Sequence, residues 1–366
     1  MHDVLIIGGG VIVLSIAYEA AGRGLSVVLC EQGQLGREAS WAGAGIIPAG
    51  ANPDLGTPLQ RLHSASNLLW PGLTEELREA TGIDNGYVRC GGICIARGPD
   101  QRELQAQFDE WQQTGVEHAV LSHDESRRCE PQFAPGPDDV VCRIPAVAQV
   151  RNPRHLKALI PASSRRGVEF RTGQPAPGFR REGGRVSAVS TSTGDCRADQ
   201  FVVAGGAWSN SLLASCGFHA DIVPVRGQIV LLSMQALPFR HVIECGPRYL
   251  VPRPDGRVLV GSTEEWVGFN KGNTSSGVQG LLQFAEGLVP ALADARFETC
   301  WSGLRPHSPR SIPFIGRVPE HDNLLVATGH FRSGLSLSPI TARLVVQQLA
   351  GETPELPLTE LGLAPA

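Results

Sequence analysis

The sequence predicts an α/β protein, with a Rossmann-like parallel-sheet unit joined to an α+β unit built on an antiparallel sheet. Three observations predict it. The first thirty-one residues read strand, glycine turn, helix, strand, acid. A later strand runs into a second glycine turn at Gly205-Gly206. From Asp221 onward short strands alternate with turn residues.

The first unit is the most informative. Asp3-Val4-Leu5-Ile6-Ile7 is an apolar strand, and Gly8-Gly9-Gly10 follows at once. Val11 to Arg23 carries apolar residues at helical spacing and Gly24 closes it. Leu25 to Cys30 is a second apolar run, ending at Glu31. This is the order of a dinucleotide-binding βαβ unit. Glycines let the backbone approach a pyrophosphate, and the helix start offers free N–H groups and a positive dipole end. Glu31 can accept from ribose hydroxyls and would repel a 2′-phosphate, which favours FAD or NAD over NADP. Val13 stands at the third motif position, usually Gly or Ala. A branched side chain there is expected to push helix and strand apart and to loosen the cofactor's hold.

Gln32 to Pro48 is a loop with Arg37, Ser40 and the small-residue run Ala42-Gly43-Ala44-Gly45, suited to lying against a flat ligand. Pro58 to Ala80 predicts a long helix interrupted at Pro71 and Gly72. Tyr87 to Ala96 reads as a strand and Asp100 to Thr114 as an amphipathic helix. A helix over Pro153 to Arg166 leads to a strand over Gly167 to Phe170, and Arg185 to Thr191 and Gln200 to Ala204 are further strands. The last of these enters Gly205-Gly206-Ala207-Trp208-Ser209, a strand-to-helix turn. Ile222 to Ser233, His241 to Glu244, Tyr249 to Pro252 and Arg257 to Gly261 form the antiparallel sheet. A helix over Thr274 to Gly287 follows, then strands over Phe297 to Leu304, Ile312 to Ile315 and Leu324 to Ala327. A last helix runs from Leu335 to Leu349, and the Pro- and Leu-rich tail is expected to be loosely ordered.

Composition narrows the class. At 366 residues two lobes are the default. The chain is 42% hydrophobic and 19% charged with a net charge of −4, which offers no basic surface for nucleic acid. No apolar run is long enough for a membrane span. The first strand follows Met1 almost directly, so no secretory signal is expected and the cytoplasm is the expected compartment. Nine scattered cysteines without metal-ligand spacing read as mostly buried thiols in a reducing environment.

Several segments together resemble one family. They are Gly8-Gly9-Gly10, Ser40 with Ala44-Gly45, Gly205 to Ser209, Pro224-Val225-Arg226-Gly227-Gln228, Tyr249-Leu250-Val251-Pro252-Arg253, Trp301-Ser302-Gly303-Leu304-Arg305-Pro306 and Gly329-His330-Phe331-Arg332. Their order and coverage of nearly the whole chain resemble the D-amino acid oxidase family of FAD-dependent oxidoreductases, and within it the glycine oxidases of thiamine biosynthesis. Val13 at a glycine position and Ser333 at an asparagine position are departures. The resemblance implies an FAD-binding domain from residues 1–86, 151–220 and 305–366, and a substrate domain from 87–150 and 221–304. It also implies cofactor contacts from Gly8, Gly10, Val11 and Ile12, from Glu31 and Gln32, and from Ala39, Ser40, Ala44, Gly45 and Ile46. Ala176, Gly205, Gly206 and Trp208 join them, as do His330, Phe331, Arg332, Ser333, Gly334, Leu335 and Ser336.

The implied activity is oxidation of a small amino acid (glycine, sarcosine or D-alanine) to an oxo acid, ammonia and hydrogen peroxide, with O₂ as electron acceptor. Arg305 is the expected carboxylate anchor, because a guanidinium binds a carboxylate bidentately. Tyr249 would donate its hydroxyl to the same group, and Arg332 would sit near the flavin edge or the substrate. Arg310 to Gly316 contains no cysteine, where sarcosine oxidases tether their flavin, so non-covalent FAD is expected. A homo-oligomer is left open. Two alternatives stand beside this reading: a D-amino acid dehydrogenase delivering electrons to a quinone, and a flavin-binding module without turnover. Arg305 and Tyr249 argue against the second, since a cofactor holder needs no carboxylate clamp.

Overall fold

The structure, a computed structural model, describes residues 2–182 and 185–362. Its first layer is a six-stranded sheet in the order Phe314–Arg317, Leu324–Thr328, Ala198–Val203, His2–Ile7, Val27–Glu31, Glu169–Thr172. Every neighbouring pair is parallel except the edge strand Phe314–Arg317, which is antiparallel to Leu324–Thr328. His2–Ile7 and Ala198–Val203, at the centre, carry the buried runs Val4 to Ile7 and Phe201 to Val203, as a sheet covered on both faces requires. Helices Val11–Gly22, Pro58–Thr81, Asn152–Arg165 and Ser338–Leu349 contribute to the core on one face, and the meander Gly178–Glu182, Arg185–Thr191, Gly194–Cys196 contributes to the core on the other.

The second layer is an eight-stranded sheet in the order Arg296–His307, Val223–Ser233, Arg257–Gly261, Arg248–Pro252, Val242–Cys245, Gly92–Ala96, Val140–Ile144, Ala119–Leu121. It is not wholly antiparallel. Val242–Cys245 and Gly92–Ala96, which come from distant parts of the chain, pair in parallel and join its two halves.

Other expectations are corrected. Pro71 and Gly72 do not interrupt the helix, which runs unbroken over Pro58–Thr81. Tertiary packing overrides the lost N–H there: Trp70 is fully buried and its Nε1 donates to the Ser336 carbonyl at 3.0 Å, as does the Ser66 hydroxyl at 2.6 Å. The strand expected over Tyr87 to Ala96 is two, Val88–Arg89 and Gly92–Ala96, separated at Gly91 where φ is +74°. The last helix begins at Ser338 rather than Leu335. The tail is not loose as far as Gly362. Leu356 and Leu361 are buried, Ile315 N donates to the Leu361 carbonyl at 2.9 Å, and Arg310 donates to the carbonyls of Glu360 and Gly362.

Val13 does not force helix and sheet apart. It is fully buried with its Cγ2 beside Gly8, and the strands beneath keep register from Val4↔Val27 to Ile7↔Cys30. The missing side chain of Gly8 makes the room that the branched residue takes. All nine cysteines are free; four are buried and five partly so. Among the described residues no helix is long and apolar enough to cross a membrane and no cluster could hold a metal.

Candidate active site

A cavity of about 480 Å³ runs from the Gly8-Gly9-Gly10 turn to the face of the second sheet. Every cofactor and substrate residue expected above, from Gly8 to Ser336 and including Tyr249, Arg305 and Arg332, lines it.

The nucleotide end is built from backbone that tolerates no side chain. Gly8 has φ +121°, and a Cβ there would lie 2.7 Å from the Ala204 carbonyl. A Cβ on Gly9 would lie 2.7 Å from the Glu31 side chain, so the acid lies directly against the turn. Glu31 Oε1 accepts from Gly33 N at 2.6 Å; burial pushes its carboxyl up and that hydrogen bond opposes it. The Ser40 hydroxyl accepts from Val11 N at 2.9 Å and ties the following loop to the helix start. Gly45, with φ +72°, could carry no Cβ, which would fall 1.9 Å from the Val150 carbonyl. Asn152, not singled out from the sequence, donates to the Ser40 carbonyl at 2.8 Å, and its buried Oδ1 is left without a partner at the cavity wall. Arg253 was also missed as a site-building residue. Nearly inaccessible, it donates to Gln149 Oε1 at 2.6 Å, the Val150 carbonyl at 3.1 Å and the Ala44 carbonyl at 2.6 Å, fixing the small-residue run; burial pulls its pKa down to about 10. The Tyr249-Leu250-Val251-Pro252-Arg253 segment held the only signal for it.

On the other wall, Thr328 Oγ1 meets the Ser209 hydroxyl at 2.7 Å, joining the second glycine turn to the loop that follows the strand Leu324–Thr328. Phe331 takes φ +48°, and its N–H donates to the Pro306 carbonyl at 2.9 Å. Its ring meets His307 edge-on at 4.9 Å. His330, buried and pushed down to about 3, pairs with Thr341 Oγ1 at 3.0 Å. These contacts hold the loop carrying Arg332 across the end of the strand carrying Arg305.

At the end of the cavity against the second sheet, long polar side chains lie over glycines of neighbouring strands. A Cβ on Gly227 would meet the Arg305 guanidinium at 2.1 Å, and one on Gly261 would meet the Tyr249 hydroxyl at 2.6 Å. Arg305 donates to the Thr263 carbonyl at 3.2 Å and to the Ser262 hydroxyl. Among the described residues it forms no salt bridge, and burial pulls its pKa below the usual guanidinium range. Arg332 donates to the Pro247 carbonyl and pairs loosely with Glu264 at 3.7 Å. Glu244, not proposed from the sequence, lines the same end.

The glycine cradle, the acid beside it, the unpartnered Asn152 Oδ1 and the elongated cavity fit an FAD with its nucleotide at the turn and its ring toward Arg305. The FAD dependent oxidoreductase family model, DAO, matches residues 3–348. A glycine oxidase of Pseudomonas aeruginosa is 36% identical over 96% of this chain and 95% of its own length. The bifunctional protein ThiO/ThiG of Trichormus variabilis is 35% identical over 94% of this chain and 52% of its own length. The crystal structure of glycine oxidase from Geobacillus kaustophilus superposes with a TM-score of 0.94 at 32% identity, covering 99% of this chain and 98% of that one. With its glycine turns, acid and cavity in the places such a cofactor requires, the chain belongs to the DAO family of FAD-dependent oxidoreductases.

Proposed function

We propose that this protein is an FAD-dependent amino acid oxidase acting on glycine or another small amino acid such as sarcosine or D-alanine. The observation that carries the reading is Arg305: a guanidinium that forms no salt bridge among the described residues, set beside Tyr249 in the cavity that also holds the glycine cradle. A guanidinium held this way is a fork for the substrate carboxylate. The Tyr249 hydroxyl donates to the same group, and Arg332 bounds the site on the flavin side. Bound FAD supplies the hydride acceptor for Cα. The protein's part is to orient Cα, exclude water and leave the amine unprotonated. The imine so formed hydrolyses to an oxo acid and, from glycine, ammonia, and O₂ takes the electrons to give peroxide. FAD is held without a covalent bond. Residues 1–86, 151–220 and 305–366 form the FAD-binding domain, 87–150 and 221–304 the substrate domain. The likeness to a ThiO/ThiG protein supports a place in thiamine biosynthesis, and a cytoplasmic location accords with the free thiols.

The test is spectroscopic. Purified protein is expected to be yellow and to release FAD into the supernatant on acid precipitation. Anaerobic glycine, sarcosine or D-alanine should bleach the flavin, and admitting O₂ should restore the colour with one peroxide per turnover. Bleaching that O₂ does not reverse but a quinone does would replace oxidase by dehydrogenase. No bleaching by any amino acid would leave only a flavin-binding protein.

A further inference from the structure

Three carboxylates line the cavity: Glu31, Glu38 and Glu244. Glu31 is held by Gly33 N at 2.6 Å and Glu38 by Lys271 Nζ at 2.9 Å. Glu244 accepts no hydrogen bond and forms no salt bridge among the described residues. It stands on the strand Val242–Cys245, directly across from Tyr249 and, on the other side, from Cys94. Cross-strand partners project from the same face, with their Cβ atoms roughly 5 Å apart. Glu244 therefore lies alongside the tyrosine of the carboxylate site. The charged groups facing it are few. Among the described residues Arg332 is the one basic side chain acting on it, and Arg332 is already engaged by the Pro247 carbonyl and Glu264. Cys94 stays a thiol, pushed up to about 12 by burial and by neighbours that include Glu244. Glu244 is half-buried, and an acid facing a cavity without a protein partner is open to pairing by a ligand. A small amino acid has two charged groups. If Arg305 takes the carboxylate, the ammonium is what remains for the unpartnered acid.

We propose that Glu244 receives the substrate's amine: its carboxylate faces the ammonium and takes one of its protons before the hydride leaves Cα. This rests on the amino acid oxidase reading above. In the step, one N–H bond of the ammonium breaks and its electron pair stays on nitrogen. An O–H bond forms on Glu244, which later returns the proton to water. The bound substrate is then a neutral amine, whose lone pair can assist departure of the hydride. Burial raises the Glu244 carboxyl above its ordinary range, with Arg332 opposing, which brings it nearer the working range of a base.

The experiment follows anaerobic flavin reduction by glycine from pH 6 to pH 10 in the parent, Glu244→Gln and Glu244→Asp. Glycolate, which has the carboxylate but no amine, is titrated separately by its perturbation of the flavin spectrum. Glu244→Gln is expected to keep FAD and to bind glycolate within about twofold of the parent, which shows the site intact. Its reduction rate at neutral pH should fall about 100-fold, the size of a lost proton acceptor, and recover as rising pH supplies free amine. Glu244→Asp should keep the parent's pH profile at a reduced rate. A Gln variant with the parent's rate and pH profile would overturn the role of Glu244 while leaving the oxidase reading intact. A Gln variant that also loses glycolate would likewise overturn it, because Glu244 would then be structural. A parent that no amino acid reduces would overturn both.

Discussion

At the scale of single residues, the carboxylate anchor and Val13 make opposite demands. On the proposed reading Arg305 serves a ligand, so its loss should spare the fold. Arg305→Ala is expected to keep FAD and weaken amino acid use by about 1.5–3 kcal/mol or more, roughly tenfold to a few hundredfold in kcat/KM. Arg305→Lys keeps the charge without the fork and should fall between variant and parent. Flavin bleaching against glycine concentration checks both, and an Ala variant as active as the parent would move the anchor elsewhere, with Arg332 next. Val13 serves the core. Its side chain fills the space beside Gly8, so Val13→Gly should not tighten FAD binding as the motif alone implies. It opens a hole and puts glycine inside a helix, at a cost of about 2–4 kcal/mol. A lowered denaturation midpoint with FAD affinity no better than the parent's is the expected pair of results. The glycines and Glu31 were legible as cavity-lining residues because their residue types recur at fixed offsets from strands and turns, and Arg305 because it stands in a segment that resembles the family's. Glu244, Asn152 and Arg253 were not, because an acid, an amide or an arginine acquires its meaning only from the strand or loop packed beside it.

At the scale of elements, apolar periodicity located most helices and strands but missed what tertiary packing decides. The segment from Gly115 to Val150 was left blank, yet it supplies Ala119–Leu121, Val140–Ile144 and Ala148–Gln149, strands too short to stand out alone. The parallel pairing of Val242–Cys245 with Gly92–Ala96 joins segments about 150 residues apart, which no local pattern reports. The helix Pro58–Thr81 is the clearest local misreading. Its buried face, from Leu62 through Trp70 to Leu77, holds it continuous, while Pro71 lies exposed on the opposite side. The proline therefore weakens a helix that packing sustains. Pro71→Ala restores a backbone donor and a better helix former at the cost of a freer unfolded chain, and should stabilise the protein by about 1–2 kcal/mol. Urea unfolding measures it; a drop in midpoint would mean that the proline at 71 is needed to seat Trp70.

At the scale of the whole molecule, both layers contribute to one cavity, and buried histidines held neutral lie on the loop that lines it and on a helix of the first layer. The strand Arg296–His307 belongs to the second sheet, yet its last residues bridge to His330 on the loop leaving the first. His330 lies at that junction, and His155 is buried on the helix Asn152–Arg165. His155 stacks obliquely on Trp70 at 5.0 Å and meets Asn85 Nδ2 at 3.2 Å. Burial pushes His155 from 6.5 to about 4 and His330 from 6.5 to about 3. Both folded-state values lie below the unfolded one, so below about pH 6.5 the unfolded chain binds protons that the folded chain refuses. Their neutral burial is free of penalty above that pH, and stability is lost as pH falls from about 6.5 toward 4 and then 3. The slope is about 1 kcal/mol per histidine for each pH unit inside that window. Carboxyls held low by partners, such as Glu265 beside Arg226, lose their contribution further down, as pH falls through the ordinary carboxylate range toward their lowered folded values. Thermal unfolding of the FAD-loaded protein should therefore show Tm falling between pH 6.5 and pH 5, before carboxylate titration matters. His63, pushed from 6.5 to about 4 by burial, adds to the same window, so His155→Gln should remove roughly a third of that fall, since glutamine can still meet Asn85 but takes no proton. A Tm flat over this range, or a Gln variant with the parent's full slope, would show that acid sensitivity originates elsewhere than in the buried histidines.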